Sequence, residues 1–158
     1  MLVRLYALPD STAEGARLAA EGVHCRRAES LERGPILRFV REHFPAWEDE
    51  VVTAFARVPP TLFVSVESGE VTGFAAYHVT RPNFFGPTGV VKSERGRGIG
   101  RALLLQALQA LAAEGYAYAI IGGVGPAAFY EKTVGATLIA DSEPGIYRDK
   151  LRTEAAHE

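Results

Sequence analysis

A single cysteine, Cys25, stands in a chain of 158 residues. It can close no internal disulfide and has no second thiol with which to hold a metal, which excludes a disulfide scaffold and suits a reducing compartment. An inert, packed thiol is the expected role. Neither sign of charge is in excess. Lysine and arginine total 17 against 19 aspartates and glutamates, a formal net charge of -2, so no global field draws the chain to nucleic acid or to a membrane surface. Long hydrophobic runs are missing too. The uncharged stretch from Gly115 to Tyr130 falls short of the ~20 apolar residues of a membrane span and is broken by Gly122, Gly123, Gly125 and Pro126. The N-terminal stretch lacks the unbroken apolar core of a signal peptide, because Arg4, Asp10, Glu14 and Arg17 interrupt it. A cytoplasmic protein is expected, with no nucleic acid, no membrane and no metal among its partners.

What is present, 47% apolar residues, suffices for the core of one globular domain over residues 1–158. "LVRLYAL" alternates as a strand, and Pro9, Asp10 and Ser11 separate it from a helix beginning near Thr12. From Leu31 to Pro59 the spacing of Ile36, Phe39 and Val40, then of Val51, Val52 and Phe55, is helical, with Pro45 dividing two short helices. "TLFVSVESGEVTGFAAYHV" reads as a hairpin turning at Ser68 and Gly69. A loop, "RPNFFGPTG", precedes a short strand at Gly89 to Val91. The longest amphipathic helix follows, with its stripe at Ile99, Leu103, Leu104, Ala107, Leu108 and Leu111 and its stop at Gly115. "YAYAIIGG" is then a buried strand, "PAAFYEKTV" a short helix opened by Pro126, and "ATLIA" and "GIYRD" two closing strands. The predicted order is β α α β β β α β α β β, an α/β fold.

The long helix is opened by "VKSERGRGIGRALL", residues 91–104. Inside a helix Gly96, Gly98 and Gly100 would each cost about 1 kcal/mol relative to alanine, so they belong to a loop and a first turn. There they permit positive φ and close approach to the main chain. A helix start leaves up to four N–H groups without partners and carries partial positive charge. Gly98 to Arg101 include no Ser, Thr, Asp or Asn to cap it. An anion is the natural substitute, with Arg95, Arg97 and Arg101 around it. The other reading is a surface bend capped by Ser93 with solvated arginines. No Gly-Lys-Ser or Gly-Lys-Thr follows, so the loop is not a P-loop. "GVGPAA", Gly123 to Ala128, matches a dinucleotide fingerprint, but too few residues follow it for the further βαβ units such a fold needs.

Arg95, Gly98 and Gly100 make R-x-x-G-x-G between a strand and a long helix, and "FYEKTVGA", Phe129 to Ala136, lies about thirty residues on. In these two blocks and in its element order the chain resembles the GNAT superfamily of acyl-CoA-dependent N-acyltransferases. The resemblance implies a GNAT-like mixed, mostly antiparallel sheet of six to seven strands flanked by helices, with strands 4 and 5 parallel and splayed. It implies acetyl-CoA as co-substrate and transfer of its acetyl group to a primary amine, on a small molecule or a peptide. The pantetheine arm would pair with main-chain groups at Val90 and Val91. The pyrophosphate would lie on the N–H groups of Gly96, Arg97, Gly98, Ile99, Gly100 and Arg101, with Arg95 or Arg97 reaching the phosphates or staying in solvent. A homodimer is compatible with it.

Acyl transfer to an amine needs a neutral amine, a stabilised oxyanion and a proton for the departing thiolate. By the same resemblance Tyr130 stands where a tyrosine serves as general acid; the alternative is that Phe129 and Tyr130 only pack a short helix on the sheet. For the base, His78, Glu67, Glu70, Asp49 and Glu50 are candidates and none is singled out. "GGVGP" stands where many relatives have an asparagine after the fifth strand, and "FFGPTGVV" has no acid where many have one. Trp47, Phe84 and Phe85 would border the acceptor. A non-catalytic acyl-CoA sensor is the alternative to an enzyme.

Overall fold

Alternation along one hairpin sorts its side chains between two cores. The computed structural model describes residues 1–151, and in it β3 (Leu62–Glu67) and β4 (Glu70–Tyr77) meet at Ser68 and Gly69, both at positive φ, the two-residue turn that matches strand twist. Phe63 and Ala75 point to one face with the leucines of α4 (Ile99–Ala113). Leu62, Val64, Phe74 and Ala76 point to the other, against Ile36 and Val40 of α2 (Arg33–His43) and Val51 and Ala54 of α3 (Glu48–Ala54). α4 supplies Leu103, Leu104, Leu105, Leu108 and Leu111, all fully buried, each worth about 2 kcal/mol of transfer free energy. The helix ends on Gly115 at φ 97, the left-handed stop that the glycine predicts.

The remaining elements are β1 (Leu2–Arg4), α1 (Thr12–Ala20), β2 (Val23–Arg27), β5 (Phe84–Val90), β6 (Tyr118–Ile121) and α5 (Ala127–Val134). The six strands form one sheet in the order β1-β6-β5-β4-β3-β2, antiparallel throughout except between β5 and β6. Helices lie on both faces of it. No described helix is long and apolar enough to cross a membrane.

Four expectations need correction. The parallel pair is the fifth and sixth strand, not the fourth and fifth, because Val23–Arg27 forms a strand that the hydropathy pattern conceals. It is an edge strand pairing only with β3, with His24 and Arg26 turned to solvent, so only Val23 signals burial. The expected strand at Gly89–Val91 begins at Phe84, within what reads as a loop. "LVRLYAL" pairs only over Leu2–Arg4 before tightening into a 3₁₀ turn. "ATLIA" contributes one isolated bridge, Leu2 to Thr137, and "GIYRD" holds a 3₁₀ turn over Gly145–Tyr147, where Gly145 takes φ 54. The described sheet therefore has six strands, the lower end of the expected range.

Candidate active site

β5 ends at Val90, and a 3₁₀ turn over Lys92–Glu94 leads to the glycines and α4. Gly98 is the helix N-cap at φ 91, a region that costs an L side chain about 1–2 kcal/mol. No side chain caps the helix, and none of the amides of Gly96, Arg97, Gly98, Ile99, Gly100 and Arg101 donates to a described residue. These N–H groups without acceptors stand at the positive end of a fifteen-residue helix, the donor arrangement that an anion needs. Open space surrounds the position of a Gly96 Cβ.

The arginines behave less simply than their number suggests. Arg97 reaches Glu67 at 3.0 Å and also pairs with Glu94, which holds its guanidinium well above the ordinary arginine range. Arg101 pairs with Glu14 of α1, and Arg17 of the same helix donates to the Arg97 carbonyl at 2.6 Å. A Cβ on Gly98 would come within 2.7 Å of Glu14 Oε1 and 2.8 Å of Arg17 Nη2. The close approach that Gly98 permits is thus made by the protein itself, a latch from α1, while the amides stay open. Arg95 alone of the loop's three arginines has no carboxylate partner; its Nε donates to the Val90 carbonyl at 3.0 Å.

β5 carries the open edge. It pairs with β6 only at Phe84 to Ile120 and Phe85 to Ile121, and beyond Ile121 the chain turns off through Gly122 and Gly123. The Val91 N–H bonds to the Thr72 carbonyl at 3.0 Å, and the Val91 carbonyl accepts from Glu94. Val91 therefore has no free main-chain group. Val90, opposite Gly73, turns its N–H and C=O away from β4 by the antiparallel alternation, toward the gap between β5 and β6. The two parallel strands part at one end and leave the V-shaped opening that the resemblance implies.

At the closed end of that gap lies a cleft of about 750 Å³, with Trp47, Phe84, Phe85, Thr88 and Tyr130 among its walls. Phe85 meets Tyr130 edge to face at 6.2 Å between ring centroids, and Phe129 does so at 5.1 Å. Only 7% of Tyr130 is exposed, yet its hydroxyl has no partner and is not among the sealed polar atoms, a class whose only unpaired described member is Gln106 Oε1. The hydroxyl therefore opens on the cleft. Burial pushes its pKa up, so it keeps its proton at neutral pH.

The base candidates separate cleanly. His78 is a buried clamp: its Nδ1 accepts the Asn83 N–H at 3.0 Å, which puts the proton on Nε2, 2.7 Å from Glu114. Glu67 is taken by Arg97, Glu70 lies exposed in the hairpin, and Asp49 is exposed on α3 outside the cleft lining. Glu50 lines the cleft and pairs with no described side chain. Sequence reasoning missed Tyr147, whose hydroxyl takes the space a Gly122 Cβ would need, beside Phe84. A polar group thus reaches the end of β6 from a distant turn, where the local sequence offers only glycine. The doubled glycine was the available signal, since a strand-end glycine marks close approach of another group. Cys25 behaves as expected, its thiol pushed up to about 11 by burial and by Glu14. No group of three or more His, Cys, Asp or Glu among the described residues could hold a metal ion.

Comparison with known proteins bears on this arrangement. No curated protein matches the chain. Among solved structures, a glucosamine N-acetyltransferase region of a fungal multi-domain GH3 β-N-acetylglucosaminidase superposes with TM-score 0.68 over 84% of this chain at 19% identity. A GCN5-related N-acetyltransferase from Sphaerobacter thermophilus gives 0.60 over 84% at 21% identity. A GNAT family acetyltransferase from Brucella melitensis, in complex with acetyl-CoA, gives 0.53 over 70% at 21% identity. The chain spans 19% of the fungal protein, 45% of the Sphaerobacter protein and 80% of the Brucella protein. Residues 28–136, more than half of the chain and including the glycine loop, the open edge of β5 and Tyr130, match the Acetyltransferase (GNAT) family, and the chain belongs to that family.

Proposed function

We propose that the protein transfers an acetyl group from acetyl-CoA to the amine of a small acceptor bound in the cleft. The observation that carries this reading is the placing of two unsatisfied features at opposite ends of one strand edge. Bare amides lie beyond Val90, and an unpartnered tyrosine hydroxyl lies beside Phe85. Five residues of strand separate those two positions, about 17 Å. An extended amide-bearing arm laid along β5 would find the Val90 N–H free and both its ends provided for.

Acetyl-CoA supplies an activated acyl group as a thioester. The amides of Gly96 to Arg101 bind the diphosphate, and Arg95 adds a positive charge that no described carboxylate neutralises. Phe85 and Phe129 fix the Tyr130 ring, so its hydroxyl is held where it can protonate the departing sulfur. A bond forms between the acceptor nitrogen and the acyl carbon as the bond to sulfur breaks. Of the two protons that leave the acceptor's ammonium, one is balanced by the thiol and one goes to solvent. The 21% identical Brucella melitensis relative, solved with acetyl-CoA, supports the choice of co-substrate.

Calorimetric titration of the protein with acetyl-CoA, followed by a thiol-release assay with an amine panel, tests the reading. Saturable binding with amine-dependent thiol release is expected. Absence of coenzyme binding would sink it, and binding without release from any amine would leave a sensor.

A further inference from the structure

The charge that lines the cleft is unbalanced. Three charged residues line it: Glu50 of α3, Arg81 from the loop before β5, and Lys150 after the last 3₁₀ turn. None makes an ion pair or a side-chain hydrogen bond to a described residue; Lys150 only approaches the face of Tyr147, at 5.7 Å. Two cations and one carboxylate therefore line one open cleft, with Trp47 and Phe84 as apolar walls. Arg81 is too distant to serve the diphosphate. Arg81 precedes β5, whereas the bare amides follow it, and the seven residues of that strand put them about 23 Å apart.

An ordinary amine would meet a surplus of positive charge here. We propose that the acceptor is an amine that also carries an anionic group, an amino acid being the simplest case. Glu50 takes the ammonium and accepts its proton before attack, and Arg81 with Lys150 takes the anion. The inference rests on the acetyl-transfer reading and deepens it. Trp47 and Phe84 then select for the side chain between the two charges. Charge-assisted contacts of this kind are worth a factor of ten or more each.

Trp47 is the only tryptophan in the chain and lines the cleft, so its fluorescence reports occupancy without any turnover. Amino acids are to be compared with their decarboxylated counterparts, lysine with cadaverine, ornithine with putrescine and phenylalanine with phenethylamine, both by quenching of Trp47 and by thiol release. The amino acid of a pair should bind at least tenfold tighter. In a double variant, Arg81→Ala with Lys150→Ala, that ratio should fall to about one. Glu50→Gln should weaken both members of a pair alike and leave acetyl-CoA titration unchanged. Tighter binding of the plain amines, a preference that survives in the double variant, or silence of every pair while acetyl-CoA binds would each overturn the inference and leave coenzyme binding standing. Loss of acetyl-CoA binding itself would instead remove the reading beneath it.

Discussion

The two ends of β5 handle charge in opposite ways. Beyond Val90 the arginines Arg97, Arg101 and Arg17 are matched by Glu67, Glu94, Glu14 and Glu21, Arg95 alone of the loop's arginines lacks a carboxylate, and a run of main-chain amides is left unsatisfied. At the Phe85 end β5 is paired to β6, and the cleft beside it holds side chains without partners among the described residues: the Tyr130 hydroxyl, Glu50, Arg81 and Lys150. Backbone donors fixed by a helix bind a constant chemical group, since they change little with side-chain identity. Side chains around a cleft are where a variable partner can be read. One strand edge thus joins a generic site to a selective one, and the contrast can be broken from either end.

The largest effect is expected at the cleft. Replacing Tyr130 by Phe keeps the ring against Phe85 and Phe129 and removes only the proton donor, so thiol release should fall about 100-fold or more with acetyl-CoA affinity unchanged. Because burial raises the hydroxyl's pKa above the usual value of 10.0, the wild-type rate should show no falling limb from this group below about pH 10. A tyrosine that only packs the helix would leave turnover within a few-fold.

The amide end should respond through the backbone. Gly98→Ala places a Cβ at positive φ and against Glu14 and Arg17, which must withdraw from the loop. A stability loss of about 1–3 kcal/mol in urea and a coenzyme affinity lowered roughly tenfold are expected. Gly96→Ala carries backbone strain of the same kind with open space around it, so it should cost less, about 1–2 kcal/mol. Equal costs would mean that the α1 latch contributes nothing.

These positions also show what a sequence discloses. The bare helix start was legible because glycine spacing and the lack of a capping residue are local facts, and the family blocks lie close along the chain. The pairing of the arginines was not legible. Glu14 and Arg101 stand 87 residues apart, and only the fold brings α1 against the loop. β2 escaped notice because a solvent-facing edge strand needs few apolar residues. Tyr147 escaped because a turn was read as a strand, and its partner Gly122 has no side chain to advertise the contact. Glu50 could be named beside Asp49 but not chosen, since α3 had to be placed before one of the two could be seen to face the cleft.

Smaller effects should follow from altering the loop's charges. Arg95→Ala removes the loop arginine that lacks a carboxylate and should weaken acetyl-CoA binding several-fold, by less in high salt. Glu14→Gln should act in the opposite direction. It takes a negative charge from the helix N-terminus and releases Arg101, so binding should tighten by up to about fivefold at low ionic strength. If Glu14→Gln weakened binding instead, the latch would be holding the amides in place rather than competing with the anion, and the two ends of β5 would differ less than their charges suggest.

The smallest effect concerns the stability that the paired end contributes. Arg97 holds the Glu67 carboxyl below its ordinary value of 4.5, first through the hydrogen bond and then through its charge. A carboxyl lowered on folding stabilises the native state above its unfolded pKa, and that contribution is lost as the pH falls through the folded value. Wild type should therefore melt slightly higher than Glu67→Gln at pH 7, with the gap closing as the pH falls below the ordinary carboxyl value of 4.5. The pair is open to solvent, so 1 M salt should erase most of the difference at any pH. Arg97 keeps Glu94 and Glu21 when Glu67 is neutral, which is why the loop should hold its shape and coenzyme affinity should stay near the wild-type value. A large loss of affinity in Glu67→Gln would mean that β3, through this one ion pair, positions the amides, and the generic end of β5 would then depend on side chains as much as the selective one does.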